Sequence, residues 1–172
     1  EEGIVVTHVE IVDAVGSRTM GKPVGNYTTI EAKRIKNAGP DFFKYLGHVL
    51  SDELKQYLPK GKENMTLVVG LGNRGITADA LGSKTVEKLL ITRHLKGVLP
   101  DEICNALGSV CAITPSVLGV TGIESAQIVK SVAAQIKPDV IIVIDSLASR
   151  GIDKIGCTFQ ITDTGISPGS GV

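Results

Sequence analysis

The chain predicts an α/β fold: a three-layer arrangement in which a mostly parallel sheet carries helices on both faces. Three observations carry this. Apolar, β-rich runs alternate with helical patterns through the second half, the signature of parallel strands joined by right-handed crossovers. Asp139–Ile144, DVIIVI, is an unbroken apolar run, as a strand buried on both faces requires. Thr66–Val69 runs into a glycine turn, Gly70-Leu71-Gly72-Asn73, and then a carboxylate, Asp79. A buried strand ending in a small-residue turn is where open α/β sheets hold their chemistry.

The elements follow in order. Ile4–Asp13 is β-branched and partly alternating, and Tyr27–Ala32 is a second strand; together they predict an N-terminal hairpin over residues 4–32. The glycine-dense stretch between them, GSRTMGKPVGN, reads as a long shaped loop. Gly39-Pro40-Asp41 opens a helix whose Phe42, Phe43, Leu46, Val49, Leu50 and Leu54 share one face, and Leu58-Pro59 closes it. Lys60-Gly61-Lys62 is a solvated turn. Ser83–Leu95 is helical, with Ser83 as its cap, and Pro100-Asp101 starts a shorter helix. Gly108–Ile113 is a strand ending in the loop Thr114–Gly119. Thr121-Gly122-Ile123-Glu124 has the spacing of a capping box, opening a helix to Ile136 that Pro138 stops. Asp139–Ile144 and Cys157–Thr162 are the last strands, and Asp163-Thr164-Gly165 leads into a glycine-rich end.

Composition narrows the function classes. At 172 residues one domain is expected, with an aliphatic core, since aromatics are 3% and Trp is absent. Eighteen basic residues balance eighteen acidic ones, so nothing points to nucleic acid or to an anionic membrane. No run approaches the ~18 apolar residues of a spanning helix. Cys104, Cys111 and Cys157 lack CxxC spacing and read as reduced thiols of a cytoplasmic protein. His8, His48 and His94 are isolated, without metal-ligand spacing.

The chemistry-bearing stretches are few. Gly70–Gly75 matches GxGxxG, yet no helix begins within the glycines and no acid ends a strand about twenty residues on, as dinucleotide binding needs. The glycines instead allow a tight turn that aims Asp79 into a cleft. Asp145 ends an apolar strand of the same expected sheet, and two strand-end loops of one parallel sheet lie on one edge. Convergent aspartates support hydrolysis, one taking a proton from water while the other, kept protonated by its neighbour's charge, donates to the leaving group. The same carboxylates could ligate a divalent metal. Simpler roles stay open: Asp79 as a turn cap, Asp145 and Asp163 as turn aspartates, and Arg93 and Arg150 as solvated cations.

Six stretches together resemble one family. They are Met20–Ala32, Leu67–Gly82, Leu89–Leu95, Val120–Val129, Lys137–Arg150 and Gln160–Val172, and they resemble the spore germination proteases of endospore-forming bacteria, in order along nearly the whole chain. The resemblance implies an atypical aspartic endopeptidase that degrades small acid-soluble spore proteins at germination, cutting beside an acidic residue. It implies a phosphorylase/hydrolase-like fold related to the hydrogenase-maturation endopeptidases, synthesis as a self-processed zymogen, a homotetramer, and a place in the cytoplasm of the spore core. No cofactor, direct nucleic-acid contact or membrane is implied. The proposed catalytic aspartates fall at Asp79 and Asp145. Asp163 and Thr77 are expected to support them, and Gly70, Gly72 and Asn73 to form a turn offering backbone N–H groups. The chain departs from the family pattern at Arg74, where a bulky residue is usual, and at Ala78 and Ser83, where prolines are. Family members also continue beyond Val172, so a C-terminal part is expected to be missing. A metal-dependent maturation-type peptidase and a non-catalytic assembly module are the alternatives.

Overall fold

A computed structural model describes residues 3–60, 64–149 and 151–167. Arg150, Gly61, Lys62 and the end from Pro168 lie outside the described residues, as does the side chain of Cys104. The strands are β1 Ile4–Ile11, β2 Gly25–Ala32, β3 Met65–Gly70, β4 Ser109–Ile113, β5 Val140–Ile144 and β6 Thr158–Thr162. They form two three-stranded sheets, not the single mostly parallel one expected. One has the order β1-β2-β6 and the other β4-β3-β5. The chain divides accordingly into two compact units, Glu1–Leu58 with Leu147–Gly165, and Pro59–Ser146 with Ile166–Val172.

The first unit is antiparallel. β2 pairs with β1 on one side and β6 on the other, with Ile4 opposite Ala32 and Phe159 opposite Ile30. The last strand thus returns to the N-terminal hairpin. Helix α1, Ala14–Met20, stands where a loop was expected. It buries no residue, so no apolar period announced it; its ends hold it instead. The Asp13 carboxylate accepts the N–H groups of Val15 (2.9 Å) and Gly16 (2.7 Å), and Gly21 closes it at φ +63°. Helix α2, Pro40–Lys55, begins with Pro at its first turn and Asp41 beside the positive end of its dipole. Its Leu46 packs with the buried Ile30 and Ala32, and Phe42, Val49, Leu50, Phe159 and Ile161 complete the core. Phe43, expected on that face, is 51% exposed. His8 pairs with Glu53 across 2.8 Å, a local tie between β1 and α2.

The second unit contains the parallel sheet. β3 is central, pairing Leu67 with Cys111 of β4 and with Ile141 of β5. Leu67 and Val69 are fully buried, packed with Val129, Val132 and Ile136 of helix α6, Ser125–Ile136. β5, expected to be buried on both faces, is an edge strand among the described residues, with Ile141 43% exposed. The helix expected over Ser83–Leu95 is shorter: α3 spans Leu81–Val86, and helix α4 covers Asp101–Leu107. Tertiary hydrogen bonds cut α3 short. Thr92 donates its N–H to the Val110 carbonyl (3.0 Å) and its hydroxyl to the Gly108 carbonyl (2.9 Å), so this segment runs beside β4. Ser83 is no cap; it is buried inside α3. The capping box fails likewise. Thr121 ends a short helix α5, Leu118–Thr121, and its hydroxyl accepts the Ile123 N–H, while α6 starts only at Ser125. The cysteines with described side chains, Cys111 and Cys157, are free thiols. No helix among the described residues is long and apolar enough to cross a membrane.

Candidate active site

The loop after β3 is shaped by close backbone approaches. Leu71 continues the β3–β5 pairing by donating its N–H to the Ile144 carbonyl at 2.8 Å. Gly70 faces the Gly82 carbonyl so closely that a Cβ would lie 2.3 Å from it. Gly82, in the first turn of α3, faces Ile144 in turn, where a Cβ would meet that carbonyl oxygen at 2.4 Å. Only hydrogen fits at either position, so α3 sits directly on the ends of β3 and β5. Gly72 is tighter still. It adopts φ +97°, and a Cβ there would stand 2.0 Å from the Asp79 backbone oxygen.

These approaches fold Asp79 back over the loop that precedes it. Its Oδ2 accepts the Asn73 N–H at 2.5 Å, while Asn73 Oδ1 accepts the Gly75 N–H at 2.9 Å and the Asn73 carbonyl accepts the Ile76 N–H at 3.0 Å. Thr77 opens the 3-10 turn, Thr77–Asp79, that carries the aspartate. Asp145 follows β5, and its Oδ1 accepts the Ser146 N–H at 2.8 Å. Both aspartates are half-buried. Each has one oxygen held by a backbone N–H and one without a hydrogen-bond partner among the described residues.

The electrostatics bear on Asp145. Burial raises the pKa of the Asp145 carboxyl from its ordinary value; the Ser146 N–H opposes this, and the charge of Asp79 raises it further. A group held this way keeps its proton longer than a solvated aspartate. Beside it lies an open cleft of about 480 Å³, lined by Thr77, Leu81, Lys84, Lys88, Leu89 and Ser146 among others. Arg74 pairs through Nε and Nη2 with Glu87, tying the loop to the turn after α3. Both partners are exposed, so this pair adds little stability.

Asp163 belongs to the first unit, and its carboxylate is committed there. It accepts the Asn26 backbone N–H (2.8 Å) and the Asn26 side-chain amide (2.7 Å), joining the start of β2 to the end of β6. Those bonds, the side-chain one foremost, lower its pKa. A group with a depressed folded pKa stabilises above its unfolded value and loses that contribution as pH falls through the folded one. Asp163→Ala is therefore expected to destabilise the protein by about 1 kcal/mol at neutral pH, after allowing for its exposure, and the difference should close in acid. Thermal melts of both chains from neutral to strongly acidic pH check this; a constant difference would contradict it.

Lys84 and Ser146 were not singled out from sequence. Lys84 reads there as the solvated side of a helix, and Ser146 carries no signal beyond following Asp145. Among the described residues no three His, Cys, Asp or Glu side chains come together as a metal site would require.

The model of the Germination protease family matches residues 1–172. This chain belongs to the Germination protease family. Curated relatives agree. The Germination protease of Clostridium perfringens (strain ATCC 13124) is 46% identical over 172 residues, all of this chain and 53% of that protein. That of Caldanaerobacter subterraneus subsp. tengcongensis is also 46% identical over 172 residues, again 53% of its length. That of Geobacillus sp. (strain WCH70) is 45% identical over 174 residues, covering 99% of this chain and 46% of the relative. The chain thus spans about half the length of the curated Germination proteases it matches. Within the family match lie both strand-end loops, that of Asp79 and that of Asp145.

Proposed function

We propose that the chain carries the catalytic aspartates of an endopeptidase that degrades small acid-soluble spore proteins during germination. One observation carries the reading. Two aspartates at neighbouring strand ends each keep a free carboxylate oxygen, and the pKa of one is raised by burial and by the other's charge. A raised carboxyl at Asp145 suits a division of labour. Asp79 takes a proton from the attacking water; Asp145, protonated, gives one to the peptide as the bond breaks. Asn73, Gly70 and Gly72 act by holding Asp79 in place.

Family membership supports peptide hydrolysis, and the acid-soluble spore proteins are the substrate class the resemblance implies. On the same reading the protein works in the cytoplasm of the spore core as a homotetramer, matured from a zymogen, without direct contact to nucleic acid.

The pH dependence follows from the assignment. Hydrolysis needs Asp145 protonated, so the rate should fall as pH rises through its raised pKa. A falling basic limb in the pH profile of kcat/KM is expected, and that limb should be lost in Asp145→Asn together with most of the activity. The deciding experiment incubates the chain with a purified small acid-soluble spore protein and follows cleavage by mass spectrometry, with and without a chelator. Cleavage that persists in chelator is the expected result. Loss of cleavage in chelator, restored by a divalent metal, would overturn the two-aspartate mechanism.

A further inference from the structure

The peptide unit that holds Asp79 is gripped at both of its edges. Its N–H, that of Asn73, donates to Asp79 Oδ2 at 2.5 Å. Its C=O, that of Gly72, accepts the Ser83 hydroxyl at 3.4 Å. In a planar trans peptide these two groups point to opposite sides, so a hydrogen bond at one edge fixes the direction of the other. Among the described residues Ser83 is the sole donor to the Gly72 carbonyl.

The residue before this peptide makes the restraint necessary. Gly72 has no side chain to limit rotation, so the plane that follows it turns more freely than one flanked by two ordinary residues. Ser83 is seated where it stops that rotation. It is 3% exposed, in the first turn of α3 and next to Gly82. A Cβ at Gly82 would lie 2.4 Å from the Ile144 carbonyl oxygen and 2.5 Å from the Leu71 backbone N, so α3 rests on the strand ends with no room to shift. The Ser83 hydroxyl also departs from the ordinary habit of a hydroxyl on a helix. That of Thr85 donates back to the carbonyl one turn earlier, Leu81, at 2.8 Å, whereas that of Ser83 reaches out of the helix to Gly72. A hydrogen bond on a carbonyl polarises its peptide and strengthens the N–H as a donor.

We propose that Ser83 is a positioning residue for hydrolysis: its hydroxyl sets the Gly72–Asn73 peptide, and through the Asn73 N–H it fixes the Asp79 carboxylate. The catalytic consequence rests on the peptidase reading above; the restraint itself rests on the hydrogen bonds alone. Because Ser83 is buried and acts through the peptide, its loss lowers turnover and leaves substrate affinity unchanged.

The test compares Ser83→Ala and Ser83→Cys with the unaltered chain. Thr92→Val is the control, since it removes a buried hydroxyl of the same unit that serves Gly108 and Val110 instead of the loop. Thermal melts establish that each variant is folded. Proton–nitrogen NMR spectra read the Asn73 amide, and steady-state cleavage of a purified small acid-soluble spore protein gives kcat and KM. In Ser83→Ala the Asn73 amide proton should move upfield and exchange about tenfold faster, as expected when a local restraint is lost. There kcat should fall by about tenfold with KM within about twofold, the scale of a slightly misplaced catalytic group. Ser83→Cys, whose thiol is a weaker donor, should fall between the two, and it decides the matter if Ser83→Ala does not fold. Thr92→Val should melt lower while keeping both kcat and the Asn73 resonance. An Asn73 resonance unmoved in the folded Ser83 variants would overturn the proposal, as would an equal loss of kcat in Thr92→Val. An Asn73 resonance that depends on Ser83 in a chain that cleaves nothing would support the restraint and sink the peptidase reading.

Discussion

Asp79→Asn and Asp145→Asn are each expected to lower peptide hydrolysis by about a thousandfold or more, the usual scale for removing a group that transfers a proton in the transition state. The amide keeps the shape of the side chain, so the fold is expected to survive. In either variant the amide oxygen can still accept the backbone N–H that the carboxylate accepts in the unaltered chain, from Asn73 at position 79 and from Ser146 at position 145. Stability moves in an informative direction. A carboxyl whose pKa is raised on folding holds more protons folded than unfolded, so its contribution turns unfavourable as pH rises from the unfolded value through the folded one. Asp145→Asn removes that unfavourable contribution. It should melt slightly higher than the unaltered chain at neutral pH, and the gain should vanish in acid. Stopped-assay rates and thermal melts on the same preparations check both. Near-full activity in either variant would end the two-aspartate assignment. A fall in melting temperature at neutral pH for Asp145→Asn would contradict the electrostatic account of that residue.

Among the described glycines, Gly72→Ala should do the largest structural damage. The backbone at Gly72 lies at φ +97°, which L-residues adopt only under strain. The added carbon would also stand 2.0 Å from the Asp79 carbonyl oxygen and 2.9 Å from its Oδ1. The backbone contact cannot be tolerated, so the loop must open. A loss of about 3 kcal/mol or more is expected, at the upper end for a single substitution, because overpacking and strain act together. Opening the loop also breaks the bond from the Asn73 N–H to Asp79, so hydrolysis should fall with stability even though no catalytic group has been altered. Gly119→Ala is the matched control, since a Cβ there meets nothing within 4 Å. Urea titrations of the two variants separate the outcomes. Similar midpoints for both would show that the loop is not held as tightly as described.

Much of the second unit was readable from local pattern. The period of apolar residues marked α6, the β-branched runs marked β3, β4 and β5, and the glycine turn after β3 marked the loop that carries Asp79. The readings that failed have separate causes. α1 was missed because it buries nothing and so has no apolar period; only Asp13 and Gly21 signal it. The helix drawn from Ser83 to Leu95 was too long because Thr92 is claimed by Gly108 and Val110, residues sixteen and eighteen positions away. The capping box failed because the Thr121 hydroxyl serves Ile123, two residues on, and Glu124 therefore stands outside the helix.

The sequence by itself determined the family, the kinds of element and the two aspartates worth testing, because motif order and residue periodicity are properties of the chain alone. Tertiary structure decided the rest. It assigned the six strands of the described residues to two sheets, it returned β6 to β2, and it committed Asp163 to Asn26. It also left Lys84, Lys88 and Ser146 around one cleft. Each of these is a choice of partner between residues distant in sequence. Such choices are settled by which hydrogen bonds and apolar surfaces are satisfied together, and no local pattern records them.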